Sequence, residues 1–187
     1  DIDRIKLEVI NNRLKYNELF ELYIRYLKIR QRMMNKIPSY RNDYKYYVNS
    51  RNTNCYAYAF RFDLPDYFDE AFKYFDSIGF YFEPGCFSNI FDINSESKLL
   101  EALYSDLNIL GIKYSDKIDS DYLYKVAVFQ EYDFLYDKNG VPDFHFCRLN
   151  NNNLWSCKNG IRGKIEKINT PKACFTYKLV KILDINK

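Results

Sequence analysis

The sequence predicts an α+β fold in which helices come first and an antiparallel sheet follows. In the first 110 residues, several segments repeat apolar residues at three- and four-residue steps, the spacing of a helix with one buried face. From residue 122 onward the pattern becomes extended, and valine, tyrosine and phenylalanine accumulate as they do in strands. The chain has 187 residues, which is long enough for a domain with a substantial core.

The N-terminal segment predicts a helical extension. Apolar residues recur with helical spacing over residues 1–35, with charged residues between them, and no proline or glycine occurs before Pro38. Residues 36–54, KIPSYRNDYKYYVNSRNTN, combine proline, serine and asparagine, which is typical of a surface loop. We therefore expect an N-terminal helical extension over residues 1–38 and one α+β domain over residues 39–187.

Three helices are predicted in this domain before the sheet begins, over residues 55–62, 66–77 and 96–110. Polar residues precede the first and third helices, where their side chains would cap the free backbone N–H groups, and proline or glycine follows. These signals are Asn54 and Leu64-Pro65 for the first helix, and Ser95 or Ser97 with Gly111 for the third.

The sheet is predicted from three extended stretches. The first is YLYKVAVFQEYDF, from residue 122. The second, PDFHFCRLNNNNLWSCKNG, reads as a hairpin whose turn is Asn150–Asn153, because asparagine tolerates the left-handed backbone of tight turns. The third, ACFTYKLVKIL, closes the chain. Alternation along the middle strand should turn His145 to the face opposite Phe144 and Phe146.

The charge pattern argues against two classes of partner. The net charge is +3, with 28 basic and 25 acidic residues interspersed along the chain, so no field of one sign would attract nucleic acid. No run approaches the roughly 18 apolar residues of a membrane span. The first residues, DIDRIKLEV, lack the layout of a signal peptide. We therefore expect neither a nucleic-acid nor a membrane partner.

The five cysteines are widely spaced, with no CxxC pair, and His145 is the only histidine. Spacing along the chain therefore predicts no zinc site and no cofactor. An odd number of cysteines without a disulfide framework fits a reducing compartment, and the cytoplasm is the first expectation. Three of them, Cys86, Cys147 and Cys174, are expected to serve as packing residues.

Three residues, Cys55, His145 and Cys157, could together carry thiol chemistry. Cys55 lies at the start of a predicted helix, where backbone amides and the helix dipole favour a thiolate. His145 could act as its base. Cys157 follows twelve residues later on the partner strand of the same hairpin, where it could lie beside His145. The chain thus offers a nucleophile, a base and a third residue in that order.

These motifs resemble the papain-like NlpC/P60 superfamily, especially relatives with the pattern NCYAYA … DYHFYR … WSHKPG. Here the corresponding segments read NCYAYA, DFHF and WSCKNG, and the resemblance covers residues 52–160. The resemblance implies a papain-like fold in which N-terminal helices pack on a C-terminal antiparallel sheet. It also implies that Cys55 is the nucleophile, that His145 is the base, and that residue 157 orients the imidazole ring.

The sequence departs from the family pattern at residue 157, where relatives usually have histidine. A thiol is a weak hydrogen-bonding partner, so Ser156 or a nearby asparagine could orient His145 instead, or catalysis could be impaired or lost. The resemblance further implies an oxyanion hole formed by the Cys55 amide and an upstream polar side chain. The candidates are Tyr47, Asn49, Asn52 and Asn54.

The resulting expectation is a cysteine peptidase or amidase, a thiol-dependent hydrolase or acyl transferase acting on an amide bond of a peptide or protein substrate. The alternative is a non-catalytic papain-like interaction protein, an effector or inhibitor that binds a protein partner through a tyrosine-rich surface. The cysteine at position 157 favours this alternative.

Overall fold

The computed structural model describes residues 1–38, 53–117, 122–132, 141–173 and 176–186. The helices in these ranges are α1 (Ile2–Asn11), α2 (Tyr16–Met33), α3 (Cys55–Phe60), α4 (Asp66–Lys73) and α5 (Glu96–Leu110). The strands are β1 (Tyr114–Ser115), β2 (Tyr122–Glu131), β3 (Phe144–Leu149), β4 (Trp155–Lys158), β5 (Ile165–Ile168) and β6 (Tyr177–Asn186). Helices therefore precede a sheet, which confirms the α+β class.

The described strands form one sheet in the order β1-β6-β2-β3-β4-β5. Each neighbouring pair is antiparallel, so the expected antiparallel sheet is confirmed. In the register of β2 and β3, Phe129 lies opposite His145. In the register of β3 and β4, Cys147 lies opposite Cys157. Because side chains two residues apart share a face, His145, Cys147 and Cys157 lie on the same side of the sheet.

An aromatic core joins the helices to the other face of the sheet. The ring centroid of Tyr23 on α2 lies 5.0 Å from that of Phe68 on α4. On α3, Tyr56 packs against Phe146 of β3 at 5.1 Å. Buried side chains of α1 and α2 belong to this same core. The expected boundary at residue 38 therefore does not mark a break in the core of the described residues.

The single helix expected over residues 1–35 is wrong, because the structure contains two helices there. After α1, Asn12 adopts an extended backbone and its N–H donates to the Glu8 carbonyl. The next helix starts after Lys15, whose backbone N–H donates to the Glu18 carboxylate at 2.7 Å. The Glu18 side chain thus caps the start of α2 through one bond, and this helix start carries no proline or glycine that the sequence pattern could have signalled.

The other elements differ mainly in their bounds. The caps expected for α3 and α5 are confirmed: Asn54 caps α3, and Ser95 and Gly111 flank α5. Helix α4 ends at Lys73 rather than at residue 77. Two short strands, β1 and β5, were not expected from the sequence. Within the described ranges, no helix combines the length and apolar character needed to cross a membrane.

Candidate active site

Cys55 is held in place by the cap at the start of α3. The Asn54 side-chain oxygen accepts from the N–H groups of Tyr56 and Ala57 at 3.1 and 3.2 Å, and its amide nitrogen donates to the Phe82 carbonyl. These bonds tie the first turn of α3 to the loop that follows α4. Cys55 is the first residue of the helix and is only 5% exposed.

A buried polar network fixes α3 against the β3–β4 hairpin. The Arg148 guanidinium lies 3.8 Å from the ring centroid of Tyr58 and donates to the Tyr58 carbonyl at 2.9 Å. The Tyr58 hydroxyl bonds to the Ser156 hydroxyl at 2.7 Å, and Asn150 donates to the same hydroxyl at 2.8 Å. Ser156 therefore faces α3, whereas its neighbour Cys157 faces the opposite side of β4. This position does not support Ser156 as the residue that orients His145.

Cys55, His145 and Cys157 line one cleft of about 920 Å³. Its walls combine apolar side chains with charged ones. The apolar and aromatic members are Ile78, Tyr81, Phe144, Ile161, Ile168, Ala173 and Tyr177, and the charged members are Asp143, Arg162, Glu166 and Lys172. The structure thus brings together the three residues singled out from the sequence and opens them to a space that could hold a ligand.

His145 is the centre of the site because it contacts both thiols. Burial on its own favours the neutral ring and lowers the pKa of His145. Hydrogen bonds with Cys157 and Cys55, together with electrostatic interactions with both residues, outweigh burial and raise the pKa of His145 to about 10. The imidazole therefore tends to hold a proton beside a negatively charged sulfur.

Cys157 is one of the two residues that contact His145, and the pKa of its thiol is lowered. A hydrogen bond with Cys147 and one with His145 lower the pKa of Cys157 to about 5, against the opposing effect of burial. The Cys157 sulfur also lies 3.6 Å from the Asn159 side-chain oxygen. A thiolate is a charged acceptor and a stronger hydrogen-bonding partner than a thiol, so position 157 can orient an imidazole even without histidine.

Cys147 was expected to be a packing residue, and it is fully buried. Its sulfur also lies 3.4 Å from the Lys172 carbonyl oxygen. The ligand atoms of His145, Cys147 and Cys157 all lie within 4.8 Å of one another. The spacing of these residues along the chain predicts no zinc site, but the sheet register brings Cys157 beside Cys147 and His145, so that three potential metal ligands lie together.

The expected oxyanion-hole residues fall into two groups. Tyr47, Asn49 and Asn52 lie outside the described residues. Asn54 is described, but its oxygen caps α3 and its nitrogen is engaged with the Phe82 carbonyl. Asn54 therefore caps α3 and uses one amide N–H on the Phe82 carbonyl, while it also lines the cleft next to Tyr81.

Two residues close to Cys55, Tyr81 and Lys158, gave no signal in the sequence. Tyr81 lines the cleft near Cys55, and burial together with the charges of Glu83, Asp143 and Cys55 raises its pKa, while a hydrogen bond with Asn54 opposes this shift. Lys158 is fully buried next to the cleft residue Cys157 in β4, and its ammonium donates to the carbonyls of Gly160 and Ile161. Burial lowers the pKa of Lys158 to about 8, and the nearby Cys55 opposes this effect.

Comparison of the chain with protein-family models, with curated proteins and with solved structures finds no match. The likeness to the NlpC/P60 superfamily thus rests on the motif residues quoted above.

Proposed function

We propose that the protein is a papain-like thiol hydrolase or acyl transferase that acts on an amide or peptide bond. The observation that carries this proposal is the contact of His145 with both Cys55 and Cys157 in one cleft. A nucleophile, a base and a group that orients the base are the three parts of a cysteine-based acyl-transfer site.

In the proposed reaction, the Cys55 sulfur attacks the substrate carbonyl and forms a carbon–sulfur bond. His145 takes the Cys55 proton at one ring nitrogen, while the N–H at the other ring nitrogen donates a hydrogen bond to the Cys157 thiolate. The carbon–nitrogen bond then breaks, and the leaving amine takes a proton back from His145. Water or an acceptor amine next attacks the thioester and gives a proton to His145. The carbon–sulfur bond then breaks, the acyl product leaves, and His145 returns this proton to the Cys55 sulfur.

The negative oxygen that develops on the substrate carbonyl needs hydrogen-bond donors. We assign this role to the backbone N–H of Cys55 and the hydroxyl of Tyr81. The Tyr81 hydroxyl is held by a hydrogen bond with Asn54, the same residue that fixes the start of α3. The cap thus supports both the nucleophile and the proposed donor.

The walls of the cleft suit a peptide or protein segment. Ile78 and Ile168 offer apolar contacts, while Arg162 and Glu166 offer opposite charges near the same opening. A volume of about 920 Å³ accommodates several residues of an extended chain.

A peptide carrying a thiol-reactive electrophile tests the proposal. We expect covalent labelling at Cys55, located by peptide mass spectrometry, and its loss in Cys55→Ala. In His145→Ala the labelling rate should fall by roughly 100-fold or more, because the base contributes about that much. Cys86→Ala is the matched control, since Cys86 does not line the cleft, and it should label like the wild type. Labelling of Cys55 at an unchanged rate in His145→Ala would overturn the proposal.

The second candidate function is that of a non-catalytic interaction protein with the same papain-like fold. The low exposure of Cys55, 5%, favours it, because an attacking sulfur must reach its substrate. This candidate predicts that folded Cys55→Ala and His145→Ala variants keep the full cellular effect of the protein. The catalytic proposal predicts that both lose it.

A further inference from the structure

We propose that His145, Cys147 and Cys157 form a binding site for a thiophilic divalent metal ion of the Zn²⁺ class. Their ligand atoms lie within 4.8 Å of one another. In a tetrahedral zinc site, with zinc–sulfur bonds of about 2.3 Å and zinc–nitrogen bonds of about 2.0–2.1 Å, neighbouring ligand atoms are about 3.5–3.8 Å apart. Small side-chain rotations would therefore bring the three atoms onto one ion.

The backbone already holds these ligands in position. Cys147 and Cys157 are direct partners in the β3–β4 register, and His145 is two residues from Cys147 on the same face. β3 is an interior strand, paired on both sides by β2 and β4. Ligands carried by paired strands lose little conformational freedom when they bind an ion, so the backbone preorganises the site.

Both thiols donate to neighbouring oxygens, and an ion bound to the two sulfurs would take the place of these protons. The Cys157 sulfur lies 3.6 Å from the Asn159 side-chain oxygen, and the Cys147 sulfur lies 3.4 Å from the Lys172 carbonyl. The two thiolates balance the charge of a divalent ion, and Glu166, which lies opposite Cys157 in the β4–β5 register, also lines the cleft. Two sulfurs and one imidazole nitrogen form a ligand set that zinc prefers over magnesium or calcium.

The fourth coordination position goes to a water molecule from the cleft. Cys157 and His145 both line this cleft, so the ion would face an open space. Cys55 contacts His145 but does not belong to the set of three mutually close ligands. Metal binding should therefore survive the loss of Cys55, which separates this site from the proposed nucleophile.

The site also has a regulatory consequence that rests on the proposed function. A metal ion bound to His145 occupies the nitrogen lone pair that the base needs, and it removes Cys157 as an acceptor. Zinc should then slow the labelling of Cys55. The binding of metal itself does not depend on any catalytic role.

The test is a titration of the reduced 187-residue chain with Co²⁺ in the absence of oxygen, followed by displacement with Zn²⁺. We expect sulfur-to-cobalt charge-transfer bands in the near ultraviolet and tetrahedral bands in the visible, saturating at one equivalent. Cys147→Ser should lower the affinity by roughly tenfold or more, because serine keeps the size of the side chain but is a poor zinc ligand. Cys55→Ala and Cys86→Ala are the matched controls, and both should bind as the wild type does.

Circular dichroism verifies that each variant is folded. If Cys147→Ser does not fold, Cys157→Ser provides a second variant that lacks one ligand. Weak cobalt bands in the wild type would overturn the proposal. Cobalt affinities equal to that of the wild type in both folded ligand variants would overturn it as well. If Cys55→Ala abolishes labelling but keeps the cobalt bands, the metal site stands independently of the catalytic proposal. If labelling of Cys55 proves independent of His145 while the cobalt bands persist, only the proposed function fails.

Discussion

Cys147 lies directly opposite Cys157 in the β3–β4 hairpin, and this pairing determines which face of the hairpin carries the candidate chemistry. Cys157 faces His145 and the cleft. The adjacent Ser156 faces the other side and bonds to Tyr58 of α3. Strand β4 thus carries the titratable Cys157 on one face and, on the other face, Ser156, which bonds to α3.

Replacing Ser156 should affect stability but not reactivity. Ser156→Ala removes the buried hydroxyl that bonds to the Tyr58 hydroxyl and to the Asn150 amide, so we expect a loss of about 1–3 kcal/mol in the free energy of unfolding. Urea unfolding measures this loss, with Ser97→Ala on the exposed start of α5 as a control that should change little. If the folded Ser156→Ala protein labels Cys55 far more slowly than the wild type, Ser156 acts in the site after all.

The local parts of this arrangement could be predicted from the sequence, because they depend on residues close together in the chain. Asn54 caps α3 by bonding to amides two and three residues ahead, and Gly111 ends α5 with a left-handed backbone. The asparagine turn between β3 and β4 likewise follows from its own residues. These signals located Cys55 at a helix start and His145 on a strand.

The remaining features depend on tertiary packing. Cys147 joins the site through cross-strand register, which spacing in sequence does not reveal. Tyr81 lies in a loop with no periodic pattern, so the sequence does not indicate its position. Its interactions with Asn54 and Cys55 in the folded protein are what place it near the candidate nucleophile. The short strand β5 forms by pairing with β4, and its four residues are too few to give a distinct period.

Tyr81→Phe should lower turnover without unfolding the protein. The variant removes one hydroxyl that is proposed to stabilise the oxyanion, so we expect kcat to fall by up to about 100-fold, with a smaller change in KM. Steady-state kinetics on a cleaved peptide would measure the effect. Tyr74→Phe is the matched control, because Tyr74 is 86% exposed and lies outside the cleft lining. Equal kcat values for both variants would remove Tyr81 from the mechanism.

The carboxylate of Asp106 should be essential for the loop that precedes α5. It accepts hydrogen bonds from the Tyr56 hydroxyl, from the N–H groups of Gly85, Phe87 and Ser88, and from the Ser88 hydroxyl. Asp106→Asn places an amide donor against these donors, so we expect a loss of about 3 kcal/mol or more in unfolding free energy.

Thermal denaturation compares Asp106→Asn with Asp92→Asn, whose carboxylate is exposed and pairs with Lys98 at the surface. A surface pair contributes little, so the control should remain near the wild type. Similar stabilities for the two variants would mean that the buried bonds of Asp106 contribute no more than a surface ion pair.

The charge state of Cys157 gives a prediction about pH. Hydrogen bonds with Cys147 and His145 lower the pKa of Cys157 below its ordinary value of 9.0, so its thiolate should persist at neutral pH and disappear as the pH falls toward 5. Thiolate absorbance near 240 nm, measured with a chelator present, should be greater at pH 7 for the wild type than for Cys157→Ser. His145→Gln removes the cationic partner, so the Cys157 titration should move upward toward 9.0. A Cys157 thiolate signal that rises only near pH 9 in the wild type would refute the proposed pairing of Cys157 with His145.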